Sequence, residues 1–152
     1  MKTLSRILSI SCFALAPLLY SATASAQFAK PEDAIHYRQS ALTVMSTHMG
    51  RIAPVVRGQK PFNAAEVQAD VAIVVAMSKL PWSAFGPGTE GGKARDDVWK
   101  DHGKFIQASE KLQSDVMSLQ TAAQSGDLAQ IRTAFGAVGA SCKACHDNFR
   151  AK

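Results

Sequence analysis

The densest chemistry in this chain stands almost at its end, where Cys142, Cys145 and His146 follow one another in a C-x-x-C-H pattern. Four chemistries compete for two thiols and an imidazole at that spacing. A structural zinc site needs four ligands, usually from a second paired motif, and the only other cysteine is Cys12. His36, His48 or His102 could complete such a site only by coincidence of folding. A redox C-x-x-C works at the start of a helix, where the dipole lowers a thiol pKa, whereas this motif lies at the far end of a helical segment. A buried structural pair is the plain alternative. Covalent c-type haem uses every part of the motif: thiols three residues apart on a helix can form thioethers to the two vinyl groups of a porphyrin. The adjacent imidazole is then placed to ligate the iron. Cys142 and Cys145 are therefore assigned to haem attachment and His146 to the proximal metal position. Only six residues follow His146, so any sixth ligand must come from upstream.

Four segments of helical periodicity must position that motif. In the first, Ile35, Arg38, Leu42, Met45, Met49, Ile52 and Val56 step by threes and fours, an apolar seam interrupted by one cation. Pro31 with Glu32 and Asp33 suits its start, and Gly58 to Pro61 its stop. Asn63 as N-cap with Glu66 as capping-box partner opens the second, whose inward face is Val67, Val71, Val74 and Met77 or Ser78, and which ends at Pro81. Residues 81–93, PWSAFGPGTEGGK, carry too much glycine and proline to be helical throughout, and Trp82 and Phe85 there need something apolar to cover. A third helix is expected from near Asp96, along Phe105, Ser109, Leu112, Val116, Leu119 and Ala123. Asp127 and Gln130 begin the fourth, whose seam runs Leu128, Ile131, Phe135, Val138, Cys142, Cys145 and Phe149. With no strand-like alternation and no repeat, the expected fold is all-α, an antiparallel four-helix bundle.

The 152 residues suffice for one domain with its own core. Residues 1–26 read as a secretory signal peptide: Lys2 and Arg6 precede an apolar run from Ile7 to Tyr20, and SATASA ends in an Ala-x-Ala-like cleavage site. That run is short for a membrane span and broken by Pro17, so the expected mature chain is an exported, unanchored domain over 27–152, without Cys12. Loss of Lys2 and Arg6 leaves 15 of the 17 basic residues against 12 acids, a formal +3. No dense basic stripe with interleaved aromatics supports a nucleic-acid partner. There is no P-loop and no glycine-rich nucleotide fingerprint.

Three stretches, QFAKPEDAIHYRQSAL, LPWSAFGPGTEGG and FGAVGASCKACHDNFR, together make the chain strongly resemble cytochrome c′, the class II c-type cytochromes. The resemblance implies a four-helix bundle with one covalent haem c near the C-terminus, in the periplasm. It implies that Cys142 and Cys145 hold the haem, that His146 is the proximal ligand, and that Leu42 faces a five-coordinate iron on the distal side. Arg38 is then expected near a haem propionate, Arg150 beside the proximal pocket, and Trp82 and Phe85 over a haem edge. The family's homodimers through the first two helices, and its proposed roles in nitric oxide handling and electron transfer, come with the same resemblance.

An apolar distal pocket offers no hydrogen-bond donor, and bound O₂, which carries partial negative charge, gains most from one. Selective binding of NO and CO is therefore expected. Arg150, four residues after His146, is expected to tune the iron or to donate to a ligand that displaces the histidine. The rival haem reading is a low-spin electron carrier with Met45 as sixth ligand, since Met45 and Met49 share the stripe of Leu42, while Met77 and Met117 read as core. A peroxidase needs a polar distal acid-base group, and His36 and His48 read as surface histidines off the Leu42 position, so no catalytic residue is assigned.

Overall fold

Helix α1 spans Pro31–Val56, with Pro31 in its first turn and Glu32 and Asp33 at the positive end of its dipole. The computed structural model describes residues 27–152, so the leader reading and Cys12 lie outside the described residues. Pro54 falls in the last turn of α1, two residues before the helix stops, and lacks the amide that would otherwise donate to the Gly50 carbonyl. Helix α2, Ala64–Met77, is capped by Asn63, whose side-chain oxygen accepts from the amides of Ala65 and Glu66 at 3.0 and 3.3 Å. Glu66 returns the contact to the Asn63 amide group at 3.1 Å. The helix ends before the expected Pro81, because Ser78, Lys79 and Leu80 close a turn onto the last carbonyls. A 3₁₀ turn over Pro81–Phe85 follows, then an irregular segment through residue 96.

The third expected helix is two. A four-residue helix α3, Asp97–Lys100, breaks at Asp101, whose φ of −121° and ψ of 46° are not helical, and α4 runs from His102 to Ser125. Asp101, His102 and Gly103 are weak helix formers in succession, and the break lets the α3 axis leave that of α4. Gly126 ends α4 at φ 70°, a conformation glycine adopts without cost. Helix α5, Leu128–Phe149, starts on Asp127, whose carboxylate accepts from the amides of Ala129 and Gln130 at 2.7 and 3.2 Å.

The four long helices pack α1 on α2, α2 on α4 and α4 on α5, the expected all-helical bundle. Met45, Ile52 and Val56 of α1 meet Val67, Val71 and Val74 of α2, Leu112, Val116 and Leu119 of α4, and Ile131 and Val138 of α5. Each such fully buried aliphatic contributes about 1.5–3 kcal/mol. A second, aromatic core of Phe85, Val98, Phe105 and Phe149 sits at the end of the bundle that carries the C-x-x-C-H motif. Two sequence expectations are corrected. Met117 is not core but 45% exposed on α4, because its position falls outside the Leu112–Val116–Leu119 seam. His48 is not a free surface histidine: its Nδ1 lies 2.6 Å from Asp70 Oδ1, a half-buried cross-link between α1 and α2. No helix among the described residues is long and apolar enough to cross a membrane.

Candidate haem site

Helices α1 and α5 meet far less closely than the other neighbouring pairs of long helices, and the space between them is a cavity of about 720 Å³. Its lining joins residues scattered along the whole chain: Arg38, Leu42 and Met45 from α1, Trp82 and Phe85 from the 3₁₀ turn, and Cys142, Cys145, His146 and Arg150 from α5 and its end. Every residue singled out from the sequence as a site candidate thus faces one cavity. Sequence reasoning passed over other lining residues, among them Lys93 and Ala94 in the irregular segment, whose position no periodicity marks. Phe105, Phe135 and Phe149 also line it, and their place on the apolar seams was the available signal.

The walls differ in character. On α1 the buried or half-buried lining residues are Arg38, Leu42, Met45, Met49 and Ala53, while Gln39, Thr43 and Ser46 lie at the solvent-exposed rim. The Ser46 hydroxyl is used internally, donating to Thr43 O at 2.9 Å. Aromatic rings floor the end of the cavity: Phe85 and Phe105 stand 4.7 Å apart by centroid, Phe105 meets Phe149 edge-on at 5.4 Å, and Trp82 meets Phe105 at 5.9 Å. The Trp82 indole is fixed by donation to Ser78 O at 2.6 Å. A flat apolar macrocycle would find ring and aliphatic surface around it, with two thiols and an imidazole offered by the α5 wall.

The α5 wall carries the reactive groups. Cys142 and Cys145 are free and half-buried. Burial pushes the Cys142 thiol above its ordinary value, and burial with the neighbouring Cys142 pushes Cys145 up to about 11. A nucleophilic redox pair is tuned the opposite way. Among the described residues no group of three or more His, Cys, Asp or Glu side chains is placed to hold a metal ion; the donors fit a group that needs one protein ligand and two covalent anchors. Burial first, and then the Arg150 charge, lowers the His146 pKa against a smaller opposing effect of Asp147, which favours the neutral imidazole that ligates iron.

Arg38 is placed differently from a simple surface cation. It is 2% exposed and donates from Nη1 to Ala84 O at 2.7 Å and Thr89 O at 2.8 Å, and from Nη2 to Gly91 O at 2.9 Å. Of the five guanidinium hydrogens this leaves the one on Nε and the second on Nη2 without an acceptor among the described residues.

One polar pair beside the motif was hidden in the sequence. Asp115 of α4 is buried, accepts from the Lys111 ammonium, and accepts from the Ser141 hydroxyl one residue before Cys142. Burial alone would raise its pKa, but the hydrogen bonds from Lys111 and Ser141 and the Lys111 charge outweigh it and leave the carboxyl lowered. A lowered folded-state pKa stabilises the fold above the unfolded carboxyl's value of about 3.9 and is lost as pH falls through the folded one. Asp115→Ala is accordingly expected to cost about 1–3 kcal/mol at pH 7, with the gap to the parent closing as pH drops below about 4. Urea unfolding at the two pH values checks it; a gap independent of pH sinks the account.

A helical bundle whose C-terminal helix brings C-x-x-C-H to an apolar cavity defines a class, the helical c-type cytochromes. The family model described as Cytochrome C' matches residues 33–150. The cytochrome c′ of Alcaligenes xylosoxydans xylosoxydans is 56% identical over 126 residues, covering 83% of this chain and 99% of that one. That of Rubrivivax gelatinosus is 46% identical over 129 residues, covering 83% and 100%. Among solved structures, the nitric oxide complex of a mutant of cytochrome c prime from Alcaligenes xylosoxidans superposes with a TM-score of 0.81 at 55% identity, covering 83% of this chain and 99% of that one. The chain belongs to the cytochrome c′ family, whose members carry covalent haem c.

Proposed function

We propose that this protein is an exported, periplasmic haem protein that binds NO and CO at an open iron site, transfers electrons, or does both. Cys142 and Cys145 would anchor the haem, His146 would ligate the iron from the α5 side, and Leu42 would bound the opposite face. The observation that carries this reading is the single cavity in which Leu42 of α1 and the C-x-x-C-H of α5 form facing walls. When bound, the haem supplies a redox-active iron with one coordination position left to an exogenous ligand. The residues of this chain do the selecting. Leu42, Met45 and Met49 exclude water and donate no hydrogen bond. Arg38 and Trp82 line the buried end of the cavity, and Arg150 places a cation beside His146. Structures of relatives bear on the choice of ligand: solved cytochrome c prime structures from Alcaligenes xylosoxidans include nitric oxide and carbon monoxide complexes.

Met45 supports the open site over a methionine-ligated one, since it is 5% exposed and packed in the central core with Ile52, Val71 and Val74. Methionine in such a position is gap-filling. Homodimerisation through α1 and α2 belongs to the same reading.

The test is an absorption spectrum of the haem-loaded protein, oxidised and reduced, before and after CO. A high-spin spectrum whose reduced Soret band shifts with CO is expected. A sharp low-spin spectrum indifferent to CO would overturn the open site and mean a strong sixth ligand, such as Met45, in what is chiefly an electron carrier.

A further inference from the structure

We infer that Arg38 is a positioning residue that ties the α1 wall of the cavity to the α5 wall, by clamping the irregular segment between them and thereby fixing the backbone that carries Arg150. The inference rests on the haem reading only in taking this cavity as the haem site.

The path is continuous. The Arg38 guanidinium lies over the Phe85 ring at 4.4 Å and 5.5 Å from Trp99. It grips the carbonyl of Ala84 in the 3₁₀ turn, which also accepts from the Thr89 hydroxyl at 3.2 Å, and the carbonyls of Thr89 and Gly91 in the irregular segment. Gly91 O accepts a second bond, from the Ala94 amide at 3.3 Å. Beyond Ala94 the segment pairs antiparallel with the end of α5: the Arg95 amide donates to Phe149 O and the Ala151 amide to Lys93 O, each at 2.9 Å, around an Ala94–Arg150 bridge. The segment also lies directly on α1. Gly92 has φ 62°, and a Cβ there would come within 2.9 Å of Ile35 and 2.8 Å of Gln39, so only glycine permits the approach.

The charge argues that the clamp has a purpose. Arg38 is a buried cation with no carboxylate within ion-pair distance among the described residues; the acid that acts on it is Glu90, on the exposed segment. A merely structural contact would be met more cheaply by an uncharged donor. The planar fork is what lets one side chain hold three carbonyls while keeping two hydrogens for a ligand. Loss of that fork loosens residues 93–95 and 149–151, so that the Arg150 backbone is left with its own amide's bond to the His146 carbonyl at 3.2 Å and without the support of the segment.

Backbone amide exchange on the haem-loaded protein tests this, reading Arg95 and Ala151 against Val74 and Leu119, which lie in the core away from the path. Arg38→Gln is expected to lower protection of the Arg95 and Ala151 amides on the order of tenfold and to leave Val74 and Leu119 unchanged. Arg38→Lys, the variant that keeps the charge and perturbs folding least, is expected to lose protection at the same two amides. Unchanged Arg95 and Ala151 in both variants, full rescue by lysine, or an equal loss at Val74 and Leu119 would each overturn the clamp. The absorption of the same samples reports separately on the cofactor: a parent protein without covalent haem sinks the haem reading, while the exchange pattern alone decides the clamp.

Discussion

Exchanging Cys142 and Cys145 together for serine is expected to abolish haem retention through denaturation. In the parent, acid-denatured protein extracted with organic solvent keeps its visible absorption on the polypeptide, because a thioether is a carbon–sulfur bond that unfolding does not break. A serine hydroxyl does not add to a vinyl group in place of a thiol, so the variant's pigment goes into the solvent or is never taken up. The second consequence is structural. The cavity of about 720 Å³ is lined by Leu42, Met45, Phe85, Phe105 and Leu112, and without the haem those apolar side chains lose the surface they pack against, at about 25 cal/mol per Å² left to water. A domain is stable by only about 5–15 kcal/mol. The haem-free variant is therefore expected to loosen at the α1–α5 side, with weaker near-ultraviolet circular dichroism and a lower urea midpoint. Pigment that stays with the denatured double-serine chain would remove the two cysteines from the attachment role.

How far the sequence led can be judged residue by residue. The seams of α1, α4 and α5 were legible because burial on one face of a helix imposes a three-four spacing that Ile35 to Val56 and Leu128 to Phe149 obey almost without interruption. The caps at Asn63 and Asp127 were legible because few residue types satisfy an orphan amide. The motif at Cys142 was legible because its spacing matches one chemistry best. The break at Asp101 was not, since a weak helix former marks a possible break and not a certain one. Arg38 shows the deeper limit. Its interruption of the α1 seam announced an unusual residue, but its partners are the carbonyls of Ala84, Thr89 and Gly91, 46 to 53 residues away. Backbone oxygens leave no trace in side-chain types. Asp115 was hidden for the converse reason: it lies beside Val116 on the seam's edge, and only packing shows that Ser141 reaches it.

Leu42→Ala is expected to raise the rate of CO binding to the reduced haem by about 5- to 150-fold. Leu42 is half-buried, lines the cavity and packs against the central core, so a diatomic entering beside it must displace its methyl groups into occupied space. Forcing extra volume into a packed site costs typically about 1–3 kcal/mol, and each 1.36 kcal/mol of barrier is tenfold in rate. Alanine removes that cost. It adds no hydrogen-bond donor, so discrimination against O₂ should survive, whereas Leu42→Gln supplies a donor and should prolong the lifetime of an O₂ complex. The pair of variants separates two properties that one leucine supplies together: steric gating, which alanine removes, and polarity, which glutamine reverses. Stopped-flow CO binding decides the first. Rates in Leu42→Ala equal to the parent's, in a variant that remains high-spin and folded, would mean that the barrier lies elsewhere along the α1 wall, with Met45 or Met49 the next residues to truncate.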